Sequence, residues 1–597
     1  MDKQTTIGFI LIALILFVWM WISAPQAPKR PSPRIDTSST QHQRTQDSLR
    51  DLSEKAKQPE VAADTLGAYF NHLSRGTEKV LIIETDLYRA EVSTRGGAIQ
   101  KWELKKFVTW DNHPVQLVDF DKGGDFSILF TSSDGKLINT RSLYFDADYK
   151  NWDKIKLSGN ETFTVDLALN VNDTSRVVES LRFANGRYSF DVNVRFEKMQ
   201  SIVSNFEYQL LWQNGLRLTE ANSKDEATFA ASYAHIGGEL VELDAQAFDR
   251  EQQKNPSGST DWVATRTKYF AVALIADSSR AEGAYLAGIS QHLPDNGVKE
   301  NYSIALKEPF RGSSREATAC TVFLGPLDFY LVKSYGVDLE RIMSFGLEWI
   351  IRPISIYFML PLFKFLHTFI PNYGIVIIVF TLIIRLLLYP LTHSSMKSMK
   401  KMQTLQPMMT ELKEKYKEDP QRMNREVMKL YKEYGVNPAS GCLLMLPQMP
   451  ILYALWSVFR GAIELRQASF VLWIKDLSTP DTIVHLPFAI PFFGITQISG
   501  LALFMGITMF IQQKMTVKDP RQKTMVWILP VMMTLLFNTL PSGLNLYYSI
   551  FNLLAIGQQV WITKHAGGEV ALRKVDESKR KKPRGVFNRM NLPKLKR

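Results

Sequence analysis

The stretch Ile375–Leu391, IVIIVFTLIIRLLLYPL, decides the reading of this chain. It is a nearly unbroken apolar run with one arginine, Arg385, inside it. An arginine at mid-membrane costs about 3 kcal/mol on insertion scales, while each Leu, Ile, Val or Phe returns roughly 0.3 to 0.6. Thirteen such residues surround it, so the segment can enter a bilayer with its charge aboard. The guanidinium stays protonated and needs a counter-charge, water or a headgroup. No Asp or Glu lies in any other apolar segment to supply a salt bridge. Two readings are open. Arg385 snorkels to the cytoplasmic surface, about 9 Å of helix away, or it lines a wet cavity and meets an anionic guest.

Outward from that run, the 597 residues carry a net charge of +12 and a mean hydropathy of −0.10. The average conceals long apolar runs beside a polar block of ordinary soluble composition. Ile7–Ile22 reads as an uncleaved anchor, since Ala24 and Ala27 are each followed by proline. Further spans are expected near 374–392, 441–460, 498–513, 525–541 and 543–562. Segments 393–440, 514–524 and 564–597 carry net charges of +4, +3 and +9, whereas 461–485 is −1 and 25–347 is −6. The excess of Lys and Arg places the first three in the cytoplasm. Six spans with both termini cytoplasmic and a large external domain follow. Trp349–Phe369 reads as a helix lying in the outer interface, because a seventh span would reverse that charge pattern.

Six regions are expected. They are an anchor (1–24), a flexible linker (25–78), an antiparallel β-sandwich (79–340) and an interfacial amphipathic helix (341–373). A five-span core (374–563) holding a helical hairpin (393–440), and a basic tail (564–597), complete the chain. The sandwich rests on period-two runs such as Phe163-Val165-Leu167-Leu169-Val171 and Tyr188-Phe190-Val192-Val194-Phe196. No nucleotide-binding glycine loop, HExxH or GxSxG occurs in it, and Cys320 and Cys442 offer neither a disulfide nor a metal site. No cofactor, metal or catalytic residue is expected.

The apolar segments carry a polar set. Asn545, Tyr548, Ser549 and Asn552 share a helical face; Thr534 and Asn538 lie one turn apart; Gln448 and Thr381 sit in two other spans. In lipid such groups face one another or water. With no carboxylate among them, the set suits an anionic or polar guest. The expected substrate groove is Arg385, Thr381, Tyr548, Gln448, Asn538, Asn545 and Asn552. In the hairpin, Met402, Met409, Tyr416 and Met423 either pack its two arms together or offer adaptable apolar contacts to a partner.

These motifs resemble the YidC/Oxa/Alb family of membrane protein insertases, in its Gram-negative YidC branch. The matching stretches are Thr381 to Arg385 followed by LLLYPLTHSSMKSMKKMQTLQP, then LYKEYGVNPASGCLLMLPQMPILYAL, GAIELRQASFVLWIKDLS and LPSGLNLYYSIFNLL. TRGGAIQKWEL at 94–104 is similar to the start of the family's periplasmic domain, a β-supersandwich like that of galactose mutarotases. The resemblance implies a multi-domain protein of the bacterial inner membrane: an α-helical transmembrane bundle plus that periplasmic β-supersandwich. It implies a chaperone and insertase, not an enzyme. Its groove, open to cytoplasm and lipid, has an arginine matching Arg385 that draws in the hydrophilic end of a nascent membrane protein. It carries groove contacts onto Thr381 and Tyr548, whereas Asn538, Asn545 and Asn552 rest on spacing alone. Expected partners are nascent membrane proteins, the Sec translocon (SecYEG, SecDF), the ribosome through the basic tail, and membrane lipids, with no small-molecule substrate. The loop 483–497, VHLPFAIPFFGITQ from Val484, departs from the family in being longer and more apolar. A membrane channel or transporter, and a membrane-anchored carbohydrate-active protein working through the β domain, are the alternatives.

Overall fold

Alternating apolar residues fold the first half of the chain into sheets. The computed structural model describes residues 66–147, 154–277, 280–294, 297–347, 349–436, 445–490, 494–516 and 523–565. The expected anchor at 7–22, the linker up to residue 65, Cys442 and the tail from 566 onward lie outside the described residues. The chain divides into two units between Ile342 and Met343.

In the first unit, Val80–Glu84, Tyr88–Ser93 and Ile99–Val108 form the centre of a five-stranded sheet. A larger antiparallel sheet includes the meander Thr162–Asn170, Arg176–Ala184 and Ser189–Glu197, which pairs onward with Arg315–Pro326. Val165, Leu167 and Leu169 are buried while Thr164, Asp166 and Asn170 are exposed, the alternation a pleated strand imposes. Trp102 joins the two layers: it stacks on Tyr88 at 3.8 Å within its own sheet and meets Phe190 of the larger one at 5.6 Å. The end of this unit is pinned by the buried Arg266. Its guanidinium donates to the carbonyls of Thr267, Lys268 and Ile342 at 2.9 to 3.0 Å, and Trp262 Nε1 donates to Val337 O at 2.7 Å.

Buried carboxyls make the unit's stability depend on pH, and Glu308 shows how. Glu308 is buried, and its Oε1 has no hydrogen-bond partner among the described residues. Burial, aided by the nearby Glu282, pushes its carboxyl up from 4.5 to about 7. The folded state therefore holds this proton more tightly than the unfolded chain does. The stabilisation is complete below pH 4.5 and is lost as pH rises through 7, a swing of about 3 kcal/mol. Thermal unfolding of the full-length chain, followed by the sheet signal, is expected to shift downward between pH 5 and pH 8. Burial also pushes Glu226 and Glu300 up to about 7, so Glu308→Gln is expected to reduce that slope by about a third; an unchanged slope would remove Glu308 as one of its sources.

The second unit is helical: α1 Leu360–Phe369, α2 Tyr373–Leu387, α3 Tyr389–Thr404, α4 Gln406–Lys415, α5 Pro420–Glu433, α6 Met445–Gly461, α7 Gly500–Thr516, α8 Lys523–Phe537 and α9 Ser542–His565. Asn372 starts α2 by accepting the amide of Ile375 at 3.2 Å. Pro390, lacking an N–H, separates α2 from α3. Helix α9 is 24 residues long but mixes Asn545, Asn552, Gln558 and Gln559 into its apolar surface. Among the described residues no helix is long and apolar enough to cross a membrane.

Before α1, the chain makes a π-helical turn at Ile354–Met359. Ile351, Met359, Phe363 and Leu366 are buried here, while Trp349, Tyr357, Phe365 and Phe369 are exposed. The exposed face thus mixes aromatic rings with Lys364 and Thr368. The sequence 482–499, expected as a loop leading into a span, instead forms a β-hairpin of Thr482–Ile490 and Ile495–Ser499. Its β-branched residues support extended backbone, and Gly494 at φ 62° takes the left-handed position a turn requires.

Candidate functional site

The buried face of α2 carries Ile377, Phe380, Thr381, Ile384 and Arg385, spaced at three and four residues. It packs against α9. Arg385 is only 7% exposed. Its Nη2 donates to Gln558 Oε1 of α9 at 2.7 Å, and its guanidinium lies 4.7 Å from the centre of the Phe551 ring. Gln558 Nε2 reaches Thr392 Oγ1 at 3.4 Å, and Thr392 in turn donates to Tyr389 O at 3.0 Å. Arg385 Nε has no hydrogen-bond partner among the described residues. The arginine borders a cleft of about 380 Å³ lined also by Leu386, Tyr389, Leu554, Gly557, Gln558 and Trp561. Since one water takes ~30 Å³ in the liquid, the cleft has room for many waters or several side chains.

A second polar group lies deeper along α9. Tyr547 is fully buried, within electrostatic reach of Arg385 and 5.9 Å from Phe551. Tyr548 meets Phe537 edge-on at 5.2 Å. The Gln448 amide lies beside both phenols without a hydrogen bond of good geometry to either. Gln448 Nε2 and the hydroxyls of Tyr547, Tyr548 and Ser549 find no partner among the described residues. Each such group costs ~1–3 kcal/mol if kept dry and unpaired, so this interior suits a hydrogen-bonding guest.

The structure separates the expected groove residues. Thr381 is buried, and its hydroxyl donates to Ile377 O of its own helix at 2.6 Å. Asn538 binds the hairpin base, donating to Gln497 O at 2.6 Å and accepting from the Ser499 amide at 2.8 Å. Asn545 Nδ2 donates to Phe537 O at 3.1 Å. Asn552 Nδ2 contacts Thr508 Oγ1 of α7 at 3.3 Å. None of these three asparagines borders the cleft; they join helices to one another. For the two on α9 the reason is helical phase. At 100° per residue, Phe551, Leu554, Gln558 and Trp561 all lie within roughly 40° of Tyr547, while Asn545 and Asn552 lie about 140–160° away. Gln558, the direct partner of Arg385, belongs to the aromatic face; its signal was that eleven-residue spacing from Tyr547.

In the hairpin of α3, α4 and α5, Met409 is buried with Leu405, Tyr431 and Val436, and Tyr431 OH donates to its sulfur at 3.2 Å. Met402 packs against the same cluster, and Met423 is buried. Tyr416 carries Arg422 over its ring at 5.2 Å. Among the described side chains of the hairpin, the thioethers open to a partner are those of Met408 and Met428, which are exposed.

One end of the helical unit is closed. Gly374 lies so near Phe470 that an added Cβ would collide with the ring. Ser542 Oγ donates to Asp476 O at 2.6 Å, and the Gly543 amide to Leu477 O at 2.9 Å. Asp481, buried, accepts from Trp473 Nε1 at 2.9 Å, the Leu501 amide at 2.7 Å and the Ser499 hydroxyl. The Arg385 cleft is about 16 to 22 Å along α2 and α9 from this seal.

Residues 365–569 match the family model described as 60Kd inner membrane protein, and residues 81–357 match the YidC periplasmic domain model. A membrane protein insertase YidC of Chlorobaculum parvum is 38% identical over 95% of this chain and 96% of its own. One from Chloroherpeton thalassium is 37% identical over 97% and 99%. An active YidC insertase crystal structure with the first transmembrane domain resolved aligns over 82% of this chain and 93% of that chain at 21% identity. Its TM-score of 0.35 adds nothing to the assignment. Across its helical unit and its periplasmic β-sandwich alike, the chain belongs to the YidC family of inner-membrane protein insertases, which are not enzymes.

Proposed function

We propose that this protein draws the hydrophilic flank of a nascent membrane protein to Arg385 and releases the adjoining apolar helix sideways into lipid. The observation that supports this reading is a buried guanidinium with one direct hydrogen-bond partner, Gln558, at the edge of a roomy cleft. No described carboxylate pairs with it. Burying a long apolar helix in lipid is strongly downhill; the obstacle is desolvating its polar flank. A positive, hydrogen-bonding cleft part-way through the bundle lowers that obstacle without a nucleotide. Gln448, Tyr547 and Tyr548 extend the polar path inward from Arg385; Thr381 and the three asparagines hold its walls.

In this account the chain has six spans with both termini cytoplasmic, and the second unit supplies the five-span core. The seal formed by Phe470, Asp476 and Asp481 faces the periplasm, and the Arg385 cleft opens toward the cytoplasm. Hairpin 393–440 and tail 564–597 meet the emerging chain and the ribosome, the tail through phosphate contacts. The Sec translocon and anionic lipids are further partners.

Deletion of residues 80–330 tests which unit carries the activity. Reconstituted into proteoliposomes, the shortened protein is expected to retain most insertion of a small client, scored by protease protection. Complete loss of insertion, with helicity and monodispersity unchanged, would move the activity to the β unit.

A further inference from the structure

We infer that the hairpin Thr482–Ser499 is a lipid anchor that lies in the outer membrane–water interface beside the start of α7. Its composition is the first ground: from Thr482 to Ser499 the sequence holds no Asp, Glu, Lys or Arg. The second is exposure. Residues 483–485 and 487–489 are all exposed, Phe488 to 61%. The strand bulges between Thr482 and Val484 and again between His485 and Ile490, so these side chains splay from an irregular ribbon instead of hiding against a second layer, and an uncharged surface bared in this way suits an apolar medium.

The patch is continuous with other bare apolar groups. Trp473 is 47% exposed, although its Nε1 is held by Asp481, and the neighbouring Leu472 is 85% exposed. Beyond the hairpin, α7 continues with exposed Leu503 and Ile507. The base is fastened: Thr482 Oγ1 bonds Gln497 Oε1 at 2.8 Å, and Asn538 holds both Gln497 and Ser499.

Depth follows from the backbone. The outer edges of a two-stranded ribbon carry N–H and C=O groups that no strand pairs, which the hydrocarbon core does not tolerate. The ribbon therefore lies among headgroups and upper acyl chains, where water reaches its edges and Trp473 finds its preferred depth. The side of the membrane rests on the topology proposed above; contact with lipid does not depend on client insertion.

The test is fluorescence quenching in the full-length protein with Cys320 and Cys442 replaced by alanine. Phe488→Cys, and separately Val484→Cys, carry an environment-sensitive nitrobenzoxadiazole label in proteoliposomes. Nitroxide lipids labelled near the headgroup are expected to quench both positions several-fold more than those labelled at the acyl terminus. Aqueous iodide is expected to quench them several-fold less than it quenches free dye. Iodide quenching equal to that of free dye, with no effect of either nitroxide, would overturn the anchor. So would shielding from both quenchers with cross-linking to a protein in native membranes, which would make the hairpin a protein-docking element. Insertion activity enters neither readout, so failure of the Arg385 mechanism and failure of the anchor give different results.

Discussion

Arg385→Ala or Arg385→Glu is expected to reduce insertion of clients with acidic translocated tails by at least about tenfold, the effect of losing ~1.4 kcal/mol of interaction with the tail. Arg385→Lys is expected to keep part of the activity. Lysine preserves the charge but not the planar fork that holds Gln558 and lies over Phe551 at once. The glutamate variant is the sharper test, since it repels the same tails by charge. Clients with uncharged tails are expected to depend less on the substitution, because they need only the hydrogen-bonding part of the cleft. Protease protection of reconstituted clients measures all of these; equal insertion by the wild type and the glutamate variant would remove Arg385 from the mechanism.

The second large effect is expected at the seal. Asp481 is buried and accepts from a backbone amide at the start of α7 and a serine hydroxyl inside the fold, and from the indole of the half-exposed Trp473. Asp481→Ala leaves three donors without their acceptor and removes a negative charge from a helix N-terminus. With ~1–3 kcal/mol for each unmet buried group, the total loss is about 4 kcal/mol. Thermal unfolding in lipid nanodiscs is expected to show a large downward shift, and Asp481→Asn a smaller one, since the amide oxygen still accepts. A midpoint unchanged by Asp481→Ala would show that the loop 461–481 is held mainly by its apolar contacts.

Residue by residue, the sequence was legible where a single periodicity governs burial. The runs from Phe163 and from Tyr188 alternate in the structure because each strand hides one face against a second layer. The apolar run around Arg385 likewise made the charge conspicuous. Where two periodicities share one helix, the reading followed one and passed over the other. Asparagines are conspicuous in an apolar segment, so Asn545 and Asn552 drew attention to one face of α9. The partner of Arg385 lies on the opposite face, among aromatic residues that read as ordinary packing. The hairpin at 482–499 was hidden for a different reason. Uncharged and apolar, it has the composition of a span, and only its β-branched residues and Gly494 distinguish it. Asp481 was invisible as a structural group because a loop carboxylate reads as solvated until its donors, far off in sequence, are brought to it.

Cross-linking at the cleft tests the central idea most directly. Tyr389 and Trp561 line the cleft and are aromatic, so a photoreactive benzoylphenylalanine replaces either with little loss of shape. Trp527, exposed on α8 and outside the Arg385 cleft, serves as the control. With a ribosome-stalled membrane protein, the account predicts adducts from positions 389 and 561 to the client's hydrophilic flank, diminished by Arg385→Glu. Adducts to phospholipid alone from both cleft positions, whether or not the client is present, would contradict it.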